Sequence, residues 1–380
     1  MKKLLVIAIA LTTVNAFASR ARMTALGNAP HVTDTQKIYT NPSDMFSFGD
    51  FVNLESGVTT YATTPDCDTV TAGNQPCKGL NAEGMVVRTM GDAKLAMSLG
   101  HLSDNANGFV GGLRSGITGA GSAVSFQQNP IELSYAAKAS DMVWGATLVY
   151  SNYNNKLASA EAKESSLGVR LGARMGAWDF TLAQGFVNTA ESQAANLKFK
   201  GTAGTGLTAG YKMDNVYAYG EARMVGFKTE NRTSGAETSK YERTDLKVGA
   251  VVSDKKDGNE LFYGASLAQA NSKESVADVK ASSLTMPVIV GMEVDALSWL
   301  ALRGSLTQTV LLNDAKAETG STTNIDLAPG ANNTLASVGA GLKFNKVTVD
   351  GTLSGLTGAT STQALDGNSL LTQVGFTYMF

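Results

Sequence analysis

The chain is poor in the residues that most enzymes and most soluble cores rely on. It has 380 residues but two Cys, two His and seven Pro, and its 31 basic side chains nearly cancel 33 acidic ones. A net charge of −2 gives no reason to expect nucleic acid as a partner. With only His31 and His101 to serve as bases, little general acid–base chemistry is available. Ser103 and Asp104 stand beside His101, but neighbours in an extended segment point to opposite faces and make a poor catalytic set. An enzyme is therefore not expected, and no metal, cofactor or covalent step is implied. The two thiols, Cys67 and Cys77, enclose DTVTAGNQP without nearby His partners. In an exported chain, that even count at close spacing reads as a disulfide stapling a loop. Beyond the N-terminus no apolar run approaches the roughly 18 residues of a membrane-spanning helix. That excludes helical spans and leaves strands untouched.

The N-terminus carries Lys2 and Lys3, an apolar run from Leu4 to Val14, and Ala16-Phe17-Ala18, small at both positions that a signal peptidase reads. Residues 1–18 are expected to be a secretory signal, with the mature chain starting at Ser19. Residues 19–50 do not alternate and contain Pro30 and Pro42. They are expected to form a periplasmic or plug segment ahead of a barrel over residues 51–380.

From Phe51 onward, apolar and polar residues alternate in segments joined by two kinds of connection that take turns. Short polar turns follow Met90, Ala139, Met175, Met213 and Phe344, and longer loops rich in Gly, Asn, Ser and Thr lie between them. Strands are expected to start near Phe51, Glu83, Ala93, Ile131, Met142, Ser165, Trp178, Lys198, Val216, Tyr241, Leu261, Ser283, Ser298, Thr334, Val347 and Ser369. Leu167, Val169, Leu171, Ala173 and Met175 oppose Gly168, Arg170, Gly172 and Arg174. Such a split gives each strand one face fit for lipid and one for a polar interior. The fold class is all-β, a transmembrane antiparallel β-barrel of about sixteen strands, with fourteen as the alternative count.

The last strand ends in Phe376, Tyr378 and Phe380 on one face. It resembles the terminal strand by which bacterial outer-membrane barrels are recognised and inserted. This resemblance implies an insertion signal at those three residues, the barrel assembly machinery and outer-membrane lipid as partners, and the outer membrane of a Gram-negative bacterium as location. A homotrimer is what resemblance to porins of this size implies. The run ALGNAPHVTD followed by IYTNPSDM resembles the N-terminal segment of the long-chain fatty acid transporter family, through Gly27, Ala29, Asp34, Tyr39, Asn41 and Pro42. In that family a short hatch plugs the barrel. Ser43 stands where the family usually has Ala, and the family has fourteen strands.

Assigning the polar face of each strand to the lumen makes Arg88, Lys94, Lys138, Arg170, Arg174, Lys198, Lys200, Lys212, Arg223, Arg243, Lys247, Arg303 and Lys343 pore-lining, together with Glu221 and Glu293. Glu55, Glu132, Asp245, Asp295 and Asp350 oppose them. The positive excess predicts a weak preference for anions. Arg114, the one strong charge in the longest loop, is a candidate constriction. Passive diffusion of small hydrophilic solutes through a porin is the function these features favour. A plugged transporter for hydrophobic compounds is the first alternative, and a structural or adhesive barrel the second.

Overall fold

A computed structural model describes residues 19–58, 81–101, 130–156, 161–276, 278–312, 316–319, 334–357 and 373–380. The expected signal, the Cys67–Cys77 disulfide and Arg114 lie outside the described residues. The first half of the wall comprises β1 (Phe51–Val58), β2 (Asn81–Met90), β3 (Ala93–Leu99), β4 (Ile131–Ala139), β5 (Met142–Asn155), β6 (Ala162–Met175), β7 (Trp178–Ser192), β8 (Leu197–Gly201) and β9 (Thr205–Met213). The second half comprises β10 (Val216–Asn231), β11 (Glu237–Lys256), β12 (Asn259–Glu274), β13 (Val279–Leu297), β14 (Leu300–Leu311), β15 (Lys316–Thr319), β16 (Thr334–Phe344), β17 (Val347–Thr357) and β18 (Gln373–Met379). All pairings are antiparallel, and β1 bonds to both β2 and β18, so the sheet closes. β8 and β9 follow one another as one stave between β7 and β10, and β14 and β15 both pair with β13. The segments thus form a closed barrel of sixteen strands, the count read from the sequence.

Two-residue turns close one end. They place Gly91, Ser140, Gly176, Asp214 and Asn345 at φ between 48° and 61°, and Asp257-Gly258 has positive φ at both positions. Such turns match the twist of the strands they join. β6, β11 and β13 begin three or four residues before the expected starts. In β11 the extra residues Glu237 to Lys240 are polar on both faces, so alternation does not mark them, whereas in β13 Val279 and Ala281 turn an apolar face inward.

Burial is inverted relative to a soluble protein. Leu54 is 57 % exposed while its neighbour Glu55 is 4 % exposed. Along β4, Glu132, Ser134 and Ala136 are buried, while Ile131, Leu133 and Tyr135 face out. Leu148, Leu171, Leu207, Val248, Leu267, Met292 and Leu306 continue the exposed apolar surface. Near the short turns it carries aromatic pairs: Tyr135 with Trp144 at 5.5 Å, Trp178 with Tyr211 at 4.5 Å, and Tyr378 with Phe380 at 5.4 Å. Aromatic rings suit the boundary between hydrocarbon and water. Closure satisfies the backbone inside the wall, which is the condition for a sheet to cross a bilayer.

Candidate functional site: the barrel interior and the N-terminal segment

Residues 19–50 fold inside the ring of strands. Ser19 caps a short helix, α1 (Arg20–Ala25), by accepting from the Arg22 N–H. Two 3-10 turns follow, Thr35–Tyr39 capped by Asp34 and Pro42–Ser47 capped by Asn41. Each cap is an oxygen-bearing side chain accepting a free N–H at a helix start. α1 packs on β14, β16, β17 and β18, and Pro42–Ser47 packs on β4, β5 and β6. On the remaining side Leu26, Ala29 and Val32 meet Val251 and Phe262 of the wall.

Charged side chains on the segment meet charged side chains on the wall. Arg20 donates to both carboxylate oxygens of Glu83 at 2.8 Å, and its backbone N–H to Glu55 at 2.7 Å. His101 bonds Glu83 at 2.9 Å and stacks on Tyr39 with centroids 3.6 Å apart, while the Tyr39 hydroxyl meets Ser98 at 2.8 Å. Arg22 binds Asp34 and Glu293, each at 2.9 Å. Burial opposes its charge, but those two carboxylates outweigh it and raise the guanidinium pKa. His31 meets Glu260 at 2.9 Å. Arg174 donates to Asp44 at 2.8 Å and also to Ser47, and burial pushes the Asp44 carboxyl up in spite of that arginine. Within the wall, Arg303 grips Asp350 at 2.5 Å, and Arg170 donates to Glu132 at 2.5 and 2.8 Å.

Two wall glycines make the seat for Pro42–Ser47. A Cβ at Gly172 would lie 1.9 Å from the Asn41 side-chain oxygen, and one at Gly145 would lie 2.8 Å from the Pro42 carbonyl carbon. Gly172→Val is expected to unseat this turn at an overpacking cost of roughly 1–3 kcal/mol. Trypsin cleavage after Lys37 in the folded barrel should then accelerate about ten- to hundredfold. An unchanged cleavage rate would mean that the seat holds nothing in place.

Of the residues expected to line the lumen, Lys94, Lys138, Arg170, Arg174, Lys212, Glu221, Arg223, Arg243, Lys247, Glu293, Arg303 and Lys343 lie on inward faces. Lys94 donates to the Phe48 carbonyl at 2.6 Å, Lys138 lies over the Phe46 ring, and Lys343 meets Asp295 at 2.6 Å. Three do not face the lumen. Arg88 shares the outward face of β2 with Val86, 3.5 Å from Asp50 and over the Phe380 ring. Each face of β2 carries one charge and one Val, so its alternation gave no direction. Lys198 and Lys200 stand outward opposite Glu230 and Lys228, while Phe199 between them is buried against Phe227. The cause is an extra residue. From Gly201 to Thr205 the chain advances four positions while β10 advances three, from Phe227 to Met224. One inserted residue swaps the faces, so the run Lys198 to Lys212 does not keep one side.

Two inward regions are not filled by the segment's charges. At one, Lys212 and Glu221 are exposed, Lys247 approaches Glu221 at 3.9 Å, and Arg243 and Arg223 both bond Asp245. Farther from the short turns, Phe199, Phe227 and Tyr241 stack at 5.3 and 5.2 Å with Leu197 and Val279 around them. This apolar patch is not legible in the sequence, because the face swap hides the side on which Phe199 lies.

A closed wall, an apolar outer surface, aromatic rims and a charged interior settle the class. The chain is an outer-membrane β-barrel. No family model matches it, and no curated protein matches it. Solved structures of similar fold include a Pseudomonas aeruginosa FadL homologue, 11 % identical over 97 % of this chain and 99 % of that one, TM-score 0.46. They also include the CymD monoaromatic hydrocarbon channel, at 9 %, 97 %, 99 % and 0.41, and a porin, at 7 %, 87 %, 99 % and 0.41. Likeness at these levels carries no argument about what crosses the barrel.

Proposed function

We propose that this barrel is a transport channel closed by its own N-terminal segment, and that it passes small amphipathic solutes when the segment shifts. The observation that carries this reading is the set of buried ion pairs tying residues 19–50 to separate strands of the wall, through Glu83 on β2 and Glu293 on β13. An open porin needs no such anchor. The Phe199–Phe227–Tyr241 patch offers a surface for an apolar body, and the basic residues Lys212, Arg223, Arg243 and Lys247 outnumber Glu221 and Asp245 along the inner wall, which favours an anionic end.

Flux into liposomes tests the solute class. A medium-chain carboxylate should enter at least about tenfold faster through the wild type than through Phe227→Asp, which puts a charge into the apolar patch. A neutral sugar should be unaffected by that change. Sugar flux that equals carboxylate flux in both proteins would return the reading to a porin.

The outward aromatics Phe376, Tyr378 and Phe380 support assignment to the insertion signal. Deleting Phe380, which rests beside Arg88, is expected to cut the amount of protein inserted in the outer membrane several-fold. The conductance of molecules that do insert should stay unchanged. An unaltered membrane yield would leave the terminal strand as only another stave.

A further inference from the structure

The cluster that anchors the start of the segment has unequal charge. Asp34, Asp350 and Glu293 face Arg22 and Arg303, all with side chains at most 13 % exposed. Arg22 bridges Asp34 and Glu293, and Arg303 holds Asp350 with Glu293 3.4 Å away. Three carboxylates therefore share two guanidinium groups. A buried charge is costly unless it is paired, so the site lacks one cation.

The Gln36 N–H donates to Asp34 at 3.0 Å but carries no charge, and the backbone nitrogen of Ser19 is also directed at the cluster. It lies 3.2 and 3.4 Å from the two carboxylate oxygens of Asp34, and the Ser19 hydroxyl donates to Asp350 at 3.0 Å. Ser19 is fully buried, and a Cβ on Gly375 of the wall would come within 2.3 Å of it. In the sequence, Ser19 follows Ala16-Phe17-Ala18, so cleavage of the expected signal makes this nitrogen the first atom of the mature chain.

We infer that the pocket formed by Asp34 and Asp350 is a binding site for the α-ammonium of Ser19, created when residues 1–18 are removed. Hydrolysis of the Ala18–Ser19 peptide bond places water's hydroxyl on the Ala18 carbonyl and a hydrogen on the Ser19 nitrogen. That amine takes a further proton from solvent and becomes the third cation of the cluster. Proteolytic processing thus supplies the charge that balances the anchor, and the segment seats fully only after cleavage. A neutral peptide N–H donates one hydrogen bond at this place, whereas an ammonium donates three and carries the missing charge.

The experiment has two arms. Intact-mass measurement of protein purified from outer membranes should find the chain starting at Ser19. Chains starting at Ser19 or at Ala18, each with Asp34 or with Asp34→Asn, are then refolded in detergent and treated with trypsin. Cleavage after Arg20 and Arg22 should be about tenfold faster in the Ala18 chain than in the Ser19 chain. Asp34→Asn removes the partner of Arg22 in both chains, so it should accelerate cleavage in each, but about tenfold more in the Ser19 chain, where the ammonium loses its partner as well. A purely steric effect of the extra residue predicts the same Asp34→Asn effect in both chains, and that result overturns the inference. So does a mature chain that starts elsewhere, or equal protection of both chains. Where a refolded variant fails to form the barrel, the same trypsin comparison is made on the membrane-purified chain unfolded, acetylated or not at its α-amine, and refolded.

Discussion

A chain lacking residues 19–50 is expected to hold a steady conductance about tenfold or more above that of the intact barrel in a planar bilayer. The physical reason is width. Sixteen strands enclose an aqueous channel unless something fills it, and here the interior holds α1, two 3-10 turns and the apolar side chains Leu26, Ile38, Tyr39 and Met45, all almost wholly buried. Ions cannot cross that packed, low-dielectric plug at the rate they cross water. The wall should survive the deletion, because its backbone hydrogen bonds close through β1 and β18 without the segment. Its inner charges would become solvated, so the cost of exposing Glu83, Glu293 and Arg174 is small once water reaches them. Intact protein should show only brief openings. A large steady conductance from the intact chain would remove the gating role, and a deletion that leaves conductance unchanged would mean that the lumen is blocked elsewhere.

Glu132→Ala is expected to destabilise the barrel by about 3–5 kcal/mol. Glu132 on β4 and Arg170 on β6 reach across β5 and bond through two oxygens and two nitrogens, with side chains 2 % and 4 % exposed. Removing the carboxylate strands the guanidinium in a dry interior, and that penalty exceeds what the pair itself contributes. Replacing both partners, Glu132→Leu with Arg170→Met, should recover most of the loss, since two apolar residues avoid the desolvation cost. Urea unfolding in detergent gives both values. A Glu132→Ala protein within about 1 kcal/mol of wild type would indicate that water reaches Arg170 and that the strut is not buried in solution.

Much of the wall was legible from residue order. Two-residue turns at Ser140-Asp141, Gly176-Ala177, Asp214-Asn215 and Asn345-Lys346 stand where the polar breaks between alternating runs placed them. The sides of Arg170, Arg174, Glu221 and Arg303 followed from alternation, because a regular strand cannot put neighbouring residues on one face. Alternation failed at Lys198 and Lys200, where one extra residue after Gly201 turned the strand over, and at Arg88, where both faces of β2 are mixed. The anion ring expected from counting basic residues is largely spent in pairs: Arg170 with Glu132, Arg174 with Asp44, Arg303 with Asp350. Counting charges on separate strands cannot reveal this, since the partners lie 38, 130 and 47 positions apart.

By itself the sequence determined the class of this protein: a membrane barrel of about sixteen strands, with its apolar side outward and its last strand aromatic. These follow from local rules of period two and turn chemistry, which act over a few residues and need no knowledge of neighbours. Only the tertiary structure decided that residues 19–50 occupy the lumen and which charges hold them there. That outcome depends on closure of β1 onto β18, which brings Ser19, Asp34, Glu293 and Asp350 to one place. Pairing energy between groups hundreds of residues apart exists only once the ring is closed.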